Sequence, residues 1–396
     1  MTVSRRDFIR TAGLAGAGLA ITPGAHVEGA EGGAAQGGAA PLSLGDRSSQ
    51  EAPESKRILI LGGTGLIGPN MVRYAVERGH EVTIFNRGRT EANIPEVERL
   101  IGDRNDDLSA LEGRSWDVVL DNNANDYRWV QRSTELLKDA TDHYVYTSSI
   151  SAYELEGFGY AAKDDVLWEW ALDETAKTFE PGADFVQGEP APFGLTKAIS
   201  ERTAHAAFPG RTTVVRPGLI VGPGDRSDRF SYWPFRIVEG GEILAPGNPQ
   251  HANQIIDQRD LSEFIVRLAE NGTTGDFNAT GPASRLSMAE MLYGIRAITS
   301  VPLEFTWVDE DFLEANEVRP WGDLPSWIPG DPLMFISIER ALNAGITYRP
   351  LAETCVDLLE WDRGRPEEER ANRRSGMSRE RERELLDAWH ASRSTS

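Results

Sequence analysis

Three glycines spaced three residues apart carry the clearest chemical signal in the sequence. They are Gly62, Gly65 and Gly68, and they directly follow the short apolar run 57–61. In such a turn the first glycine permits a tight bend, the second lets backbone N–H groups approach a phosphate, and the third lets a helix pack close to the strand. A second apolar run at 81–86 completes a strand–turn–helix–strand unit. The segment therefore predicts a site for the pyrophosphate of a dinucleotide.

The elements that must position this turn alternate between strands and helices. Apolar runs predict strands at 57–61, 81–86, 97–101, 117–121, 143–147 and 212–216, and helical periodicity predicts helices at 67–78, 128–139 and 194–207. Such βαβ alternation predicts an α/β fold of the Rossmann type, a doubly wound parallel sheet. We place the NAD(P)-binding Rossmann domain at 55–222.

The chain changes character after Pro217, where glycine, proline and aromatic residues become frequent. We predict that 223–360 is mainly a smaller substrate-binding region. Sheet-completing elements near 255–280 interleave this region with the first domain. The last segment, 361–396, is rich in charges of both signs and predicts a solvated surface helix.

The composition limits the classes of partner. The 396 residues include 62 acidic and 41 basic side chains, which give a net charge of -21. A surface this acidic repels phosphate backbones and anionic lipids, which argues against nucleic acid as a partner. The single cysteine, Cys355, excludes an intramolecular disulfide, and the histidines lack metal-ligand spacing, so we expect no metal site.

Residues 1–25 have the pattern of an export signal. A charged segment with the twin arginines Arg5 and Arg6 precedes the short apolar run 12–21. The segment resembles the bacterial twin-arginine signal, which predicts export of a folded protein to the periplasm or beyond the cell. We expect no stable membrane span after signal cleavage, and retention of the uncut signal as an anchor stays open. Residues 26–54 are rich in Gly, Ala, Ser and Glu and predict a disordered linker.

Four segments in order carry a family resemblance. They are GGTGLIG at 62–68, YTSSISAY at 146–153, FGLTK at 193–197 and VRPGLIVGPG at 215–224. Over residues 57–360 the sequence resembles the extended short-chain dehydrogenase/reductase superfamily, of the NAD-dependent epimerase/dehydratase type. The resemblance implies a nicotinamide dinucleotide cofactor and hydride chemistry at a hydroxyl or carbonyl carbon. It does not specify the substrate, because one scaffold hosts many reactions.

The resemblance also implies catalytic roles for particular side chains. Ser149, with Ser148 as the alternative, polarises the substrate oxygen in this interpretation. The family then has a Tyr-x-x-x-Lys motif on a helix, in which the tyrosine is the general acid/base. The lysine, here Lys197, holds the nicotinamide ribose from the same helix face.

The sequence departs from the family at the tyrosine, whose position is occupied by Phe193. Phenylalanine has no proton to donate. Because a positioned acid/base group contributes roughly 10²–10⁴-fold to a rate, the hydride chemistry is slowed, is served by another group, or is absent. The candidate replacements are Tyr153, Tyr160 and an ordered water on Ser149.

Cofactor preference is read where the second strand ends, about 20 residues past the glycines. NAD enzymes place a carboxylate there, whereas this chain has Asn86 followed by Arg87 and, after one glycine, Arg89. A neutral residue followed by arginines suits the 2′-phosphate of NADP, so we expect NADP in preference to NAD. Solvated loop arginines are the alternative explanation. The residues predicted to bind the cofactor are Gly62, Gly65, Leu66, Ile67, Gly68, Asn86, Arg87, Asp103, Arg104, Asn123, Ala124, Lys197 and Pro217.

On the substrate side, arginines and aromatic residues occupy loops that face the ligand in the family. Arginine suits a diphosphate or a carboxylate, and aromatic rings suit a sugar face. We therefore expect a small-molecule substrate such as a sugar or sugar nucleotide, with internal salt bridges as an equal alternative and a homodimer left open. The predicted substrate residues are Arg226, Arg229, Tyr232, Trp233 and Arg259.

Three functions are compatible with these patterns. The first is an NAD(P)-dependent epimerase/dehydratase-like oxidoreductase. Free dinucleotide is scarce outside the cytoplasm, so it would be redox-neutral with a tightly bound cofactor. The second is a catalytically impaired dinucleotide-binding protein, which Phe193 favours. The third is a non-redox lyase or isomerase that keeps the cofactor as a structural element.

Overall fold

A central sheet of seven parallel strands organises the part of the chain that the computed structural model describes, residues 54–122, 125–155 and 172–394. The strands are β1 Arg57–Leu61, β2 Glu81–Asn86, β3 Glu98–Ile101, β4 Trp116–Asp121, β5 Thr141–Thr147, β6 Thr212–Pro217, β7 Leu219–Val221, β8 Gly241–Pro246, β9 Ile255–Asp257, β10 Gly275–Ala279 and β11 Leu303–Val308. The order across the sheet is β10-β6-β5-β4-β1-β2-β3. The predicted α/β fold with a doubly wound parallel sheet is confirmed.

Helices cover both faces of this sheet. They are α1 Gly68–Glu77, α2 Tyr127–Leu137, α3 Phe193–Ala207, α4 Tyr232–Glu239, α5 Gln258–Glu270, α6 Met288–Arg296, α7 Glu310–Ala315, α8 Glu339–Asn343, α9 Leu351–Arg363, α10 Glu367–Ala371 and α11 Arg379–Ser394. Helices α1 and α5 pack together on one face, and α2 and α3 pack together on the other. None of the helices in the described residues is long and apolar enough to cross a membrane.

The first strand shows why its sequence is a continuous apolar run. Ile58 and Ile60 pack into the core under α1 and α5, whereas Leu59 and Leu61 pack into the core under α2 and α3. All four side chains are fully buried. Successive side chains of a strand point to opposite faces, so a strand covered on both sides needs apolar residues at every position.

A second core lies among the elements that follow β6. Strand β8 pairs with β11, and β7 pairs with β9, each in parallel. The apolar faces of α4, α6, α9 and α11 pack around them. Within this stretch, α5 leads back to β10, which pairs with β6 at the edge of the central sheet. Between 255 and 279, β10 therefore completes the central sheet and α5 packs on it, whereas β9 stays with β7.

The C-terminal segment is not a solvated helix, which corrects the sequence prediction. Helix α11 buries Leu385, Leu386 and Trp389 in the second core. The carboxylate of Glu382 is also buried and accepts a hydrogen bond from Arg236 at 2.7 Å. These residues lie three to four positions apart and therefore share one face of the helix. The many charged residues on the other faces made this buried face hard to recognise from the sequence. The predicted export signal and residues 26–53 of the predicted linker lie outside the described residues.

Candidate active site

The glycine turn makes a close junction between β1 and α1. Gly62 has a φ of 95°, which favours glycine, and its N–H donates to Phe85 O at 3.1 Å. A Cβ on Gly68 would lie 2.5 Å from the carbonyl carbon of Gly63, so only glycine fits. A Cβ on Gly65 would meet only Gly62 O, at 3.8 Å, so the fold itself leaves that position open. The open space, together with a helix N-terminus that no described side chain caps, fits a pyrophosphate.

A cavity of about 610 Å³, which we term the main cavity, extends from this turn along the carboxyl ends of the strands. The ends of β1, β5 and β6 contribute together because the carboxyl ends of parallel strands share one edge of the sheet. The predicted residues that line it are Gly62, Gly65, Leu66, Ile67, Gly68, Ser148, Ser149, Phe193, Lys197, Pro217 and Arg229. The structure thus gathers four sequence segments around one space.

A smaller cavity of about 160 Å³ shares two glycines of the turn with the main cavity. Asn86 ends β2 at this cavity, and its side chain accepts the N–H of Gly88 at 2.8 Å. Arg87 and Arg89 line the same cavity and are exposed. Within the described part of the chain neither arginine forms an ion pair. Both are therefore placed where they could meet a phosphate at the adenosine end of a dinucleotide.

Arg104 lines the smaller cavity beside Asp103, but its charge is directed into the protein. The two terminal nitrogens of Arg104 donate to the carboxylate of Asp121 at 2.5 and 2.6 Å, and Asp121 is fully buried. This pair braces the end of β4 and occupies the guanidinium, while Asp103 and Arg104 line the smaller cavity, so their assignment to the cofactor stays a prediction. Asn123 and Ala124, also predicted to bind it, lie outside the described residues.

Lys197 reaches the main cavity from α3 with its side chain almost fully buried. Its Nζ donates to Thr147 O at 3.1 Å and lies 5.2 Å from the ring centroid of Tyr146 and 5.6 Å from that of Phe193. Burial lowers the pKa of Lys197 to about 8, although the charge of Asp121 opposes this shift. No described carboxylate pairs with the ammonium group, which leaves it to a ligand at the strand end.

Phe193 begins α3, and half of its surface is exposed at the main cavity. Tyr153 does not replace the missing tyrosine, which corrects one sequence-based candidate. Its hydroxyl donates to Asn278 at 2.7 Å and accepts from Arg216 at 3.0 Å, away from the cavity. Burial raises the pKa of Tyr153 to about 12. The second candidate, Tyr160, lies outside the described residues.

Ser148 and Ser149 follow β5 and have different hydrogen-bond partners. Ser148 Oγ donates to Glu201 at 2.5 Å, and Glu201 accepts from Arg216 at 2.8 Å. Ser149 Oγ instead accepts the N–H of Ser151 at 3.1 Å, as the cap of a short 3-10 turn. A hydroxyl has one hydrogen to donate, so Ser149 keeps its own for a ligand while that of Ser148 is used inside the protein. Of the two serines, the geometry therefore favours Ser149 as the one that donates to the substrate oxygen.

The two predicted substrate aromatics belong to the second core. Trp233 is fully buried, and its Nε1 donates to Pro325 O at 2.6 Å. Tyr232 packs in the same core and is 7% exposed. Both residues begin α4, whose apolar face points inward. The prediction that they contact a ligand is therefore corrected.

The three predicted substrate arginines have different surroundings. Arg229 lines the main cavity. Arg259 donates to Asp257 at 2.7 Å within the protein, and Arg226 is exposed, 3.6 Å from Glu369. Neither of the last two lies on the cavity, so their assignment to the substrate is corrected.

One loop that lines the main cavity was missed by the sequence analysis, and it contributes five residues. The loop is rich in proline, glycine and tryptophan, which offered no motif, and the five residues are Trp321, Ile328, Asp331, Leu333 and Met334. The guanidinium of Arg229 lies 5.5 Å from the centroid of the Trp321 ring. The loop therefore completes the cavity opposite the strand ends.

The segment 365–376, which we term the C-terminal strap, connects the two loops that carry these residues. Asp228, next to the cavity arginine, is fully buried, and its carboxylate accepts from Arg365 at 2.9 Å and Arg373 at 3.3 Å. The N–H of Gly376 donates to the carbonyl beside the cavity tryptophan, Gly322 O, at 2.8 Å. One segment thus fixes both loops.

Comparison with known proteins agrees with this geometry. Residues 58–157 match the model of the NAD dependent epimerase/dehydratase family. Sterol demethylase protein B of Methylococcus capsulatus is 30% identical over 270 residues, which cover 62% of this chain and 75% of that protein. The chain belongs to the NAD-dependent epimerase/dehydratase family.

Two further relatives of this chain are matched over a smaller share of their own length. The chloroplast stem-loop binding protein of 41 kDa b from Arabidopsis thaliana is 34% identical over 249 residues, 58% of this chain and 60% of that protein. The 2-alkyl-3-oxoalkanoate reductase of Stenotrophomonas maltophilia is 31% identical over 239 residues, 53% of this chain and 64% of that protein. The chain therefore spans less than two thirds of each.

Solved structures share the fold at low sequence identity. The Bordetella bronchiseptica enzyme WbmH, solved with NAD+, is 16% identical with a TM-score of 0.54, over 78% of this chain and 99% of that one. A UDP-N-acetylglucosamine 4-epimerase from Methanobrevibacter ruminantium, solved with UDP-N-acetylmuramic acid, is 15% identical with a TM-score of 0.55, over 78% and 98%. These likenesses establish the architecture.

Replacing Lys197 by Met should stabilise the cofactor-free protein at pH 7. A lysine whose pKa is lowered to about 8 by burial destabilises the fold while it stays charged. That cost is complete below about pH 8 and fades as the pH rises toward the ordinary lysine pKa near ~10.4. Urea unfolding should show a gain of roughly 1–3 kcal/mol at pH 7 that disappears above about pH 10. Lys138→Met, at a half-buried residue that directly follows α2, should change stability by less than about 0.5 kcal/mol. A loss of stability in Lys197→Met would contradict the assignment of Lys197 as a buried, unpaired charge.

Replacing Asp228 by Asn should loosen both cavity loops. Asn tolerates the φ of 59° at this position but removes one of the two carboxylates that Arg365 and Arg373 share, the other being that of Asp362. We expect a stability loss of roughly 1–3 kcal/mol and faster hydrogen exchange in the peptides around 228 and 322, with the glycine turn unchanged. Arg370→Ala, an exposed position within the strap, is the control. Faster exchange near 228 alone would show that the strap does not couple the loops.

Proposed function

We propose that this protein is an NAD(P)-dependent oxidoreductase of the epimerase, dehydratase or reductase kind, acting on a hydroxyl or carbonyl carbon of a small molecule. The observation that carries the proposal is the main cavity, where the glycine turn, Ser149 and Lys197 meet. Such a turn suits a dinucleotide pyrophosphate, and the two side chains fit at the nicotinamide end. The name of the Stenotrophomonas relative, 2-alkyl-3-oxoalkanoate reductase, supports carbonyl chemistry.

The chain's own residues divide the work in this proposal. When bound, the nicotinamide cofactor supplies the group that accepts or donates hydride. Lys197 holds the ribose, and Ser149 donates its hydroxyl hydrogen to the substrate oxygen. Phe193 is half exposed, so solvent reaches the position of the family's acid/base residue. A water on Ser149 would then carry the proton between the substrate oxygen and solvent.

A second candidate function is dinucleotide binding without hydride chemistry. Phe193 favours it, because the residue removes the usual proton donor and leaves the cofactor cradle intact. The Arabidopsis relative is named as a binding protein, for a stem-loop. The net charge of -21 opposes a nucleic acid ligand for this chain.

The third candidate is a non-redox lyase or isomerase, which would use the same cavity and keep the cofactor as a structural element.

Replacing Phe193 by Tyr should raise the rate of hydride transfer by roughly 10²-fold, the usual contribution of a positioned acid/base group. The new hydroxyl would lie near Lys197, whose Nζ is 5.6 Å from the ring centroid of Phe193. The measurement is the change in nicotinamide absorbance after a hydroxyl or carbonyl substrate is added. Phe179→Tyr places a hydroxyl on a neighbouring, partly exposed ring and should leave the rate unchanged. An unchanged rate in Phe193→Tyr would favour the binding or non-redox function.

Protein recovered from the periplasmic fraction should release one dinucleotide per chain when it is denatured. Export through the twin-arginine route carries folded proteins, so a tightly held cofactor would travel with the chain. We propose NADP over NAD because Arg87 and Arg89 line the smaller cavity without a described ion pair. Mass spectrometry of the released nucleotide makes the test, and Arg87→Ala should shift it toward NAD. Release of no dinucleotide would contradict the function, and retention in the cytoplasm would contradict the export.

A further inference from the structure

The part of the main cavity contributed by residues 218–334, which we term the substrate wall, is mostly apolar. Of its nine described residues, five are aliphatic: Leu219, Ile220, Ile328, Leu333 and Met334. The half-exposed ring of Phe193 lines the same cavity. The polar side chains of the cavity lie instead at the strand ends, beside the proposed nicotinamide position. A ligand that fills the substrate wall therefore exchanges water mainly for hydrocarbon contacts.

The substrate wall has a single basic side chain, Arg229. Its Nε donates to Ser227 Oγ at 2.9 Å, and its guanidinium faces the Trp321 ring at 5.5 Å. Among the described residues no carboxylate pairs with it, unlike Arg259 and Arg216, which are held by buried acids. The terminal nitrogens of Arg229 remain free to bind one anionic group of a ligand in the bidentate geometry that guanidinium offers.

The acidic side chain of the substrate wall is used within its own loop. One carboxyl oxygen of Asp331 accepts the N–H of Leu333 at 2.8 Å, as the cap of the 3-10 turn Pro332–Met334. Burial also raises the pKa of the Asp331 carboxyl, which weakens the negative charge that it presents. The wall therefore combines one available cation with a hydrocarbon surface.

We infer that the substrate is a predominantly apolar small molecule with one carboxylate, which binds Arg229 while the reacting oxygen lies at Ser149. The inference rests on the proposed function and narrows its substrate class. It replaces the sugar or sugar nucleotide expected from the sequence. That expectation depended on Tyr232, Trp233 and three arginines, of which only one lies on the cavity.

A sugar nucleotide fits this wall poorly for a physical reason. Its diphosphate carries two charges, and its sugar, ribose and base present many hydrogen-bonding groups. Each such group that is buried without a partner weakens binding, because it loses its hydrogen bonds to water. In the described residues the wall offers only three side chains with hydrogen-bonding groups, Arg229, Asp331 and the indole N–H of Trp321. An aliphatic chain would instead gain binding free energy in proportion to the apolar surface that it removes from water.

Binding of three probes to the cofactor-loaded protein tests the inference by titration calorimetry. The probes are 3-hydroxydecanoate, its methyl ester and UDP-glucose. The first has an apolar chain and a carboxylate, the second lacks the charge, and the third lacks the apolar surface. We expect the acid to bind at least tenfold more tightly than either of the others. Tighter binding of UDP-glucose would overturn the inference.

Arginine variants locate the carboxylate. Arg229→Gln should weaken binding of the acid by roughly 10–100-fold and abolish its advantage over the ester, since a charge-assisted hydrogen bond is worth about 1.5–3 kcal/mol. Arg229→Lys should retain part of the affinity, which separates loss of charge from misfolding. Arg226→Gln, in the same loop but exposed and off the cavity, should bind as the wild type does. Equal weakening by the two glutamine variants, or none by either, would overturn the assignment.

A failure of the substrate inference can be distinguished from a failure of the proposed function. Nucleotide content is measured on every sample before titration. If the wild-type protein holds no dinucleotide, the proposed function fails. If it holds one and binds UDP-glucose in preference to the acid, the function stands and only the substrate class is wrong.

Discussion

The contact between Gly68 and Gly63 is the constraint on which the rest of the site depends. A single added carbon on Gly68 would lie 2.5 Å from the Gly63 carbonyl carbon, so α1 can begin directly against the end of β1 only because Gly68 lacks a side chain. That approach brings the uncapped helix N-terminus to the edge where the parallel strands end. The same edge receives Thr147, Ser149 and Pro217 from β5 and β6. Without this junction the cavity would lack the backbone N–H groups that can bind a phosphate.

Among the described residues, two sets of charged side chains serve different purposes. Arg104 pairs with a buried carboxylate at 2.5 Å, and Arg236 pairs with another at 2.7 Å. The first pair joins the turn after β3 to β4 of the central sheet, and the second joins two elements of the second core. Such pairs contribute little net free energy to folding, because burying both charges costs hydration. Any arrangement that separates the partners leaves a buried charge unmatched, so the pairs favour one arrangement of the elements that they join. Lys197 and Arg229 lie at the main cavity without a described carboxylate partner. Their uncompensated charge is what a bound anion or ribose would satisfy.

The sequence predicted the part of the site that is built from local patterns. The glycine turn, Lys197 and Ser149 each lie at a fixed place on a strand–turn–helix unit, so spacing and resemblance were enough to find them. The substrate wall was different. Trp321 reaches the cavity because the C-terminal strap, more than forty residues later in the chain, holds its loop through Gly376. Local aromatic content suggested Trp233 instead, because the residues of a buried helix face and of a ligand-facing loop look alike in composition.

The substitution at Phe193 changes the chemistry of the site without changing its shape. Lys197 still donates to the strand-end carbonyl, and Ser149 still caps its own turn. Ser148 is tied to Glu201, and the buried Tyr153 lies off the cavity, so neither supplies a proton there. What differs from the family is the one group that couples the substrate oxygen to solvent. If hydride moves at this site, the proton must follow a path through water at Ser149. The half-exposed Phe193 ring keeps that path open, whereas a closed apolar pocket would block it.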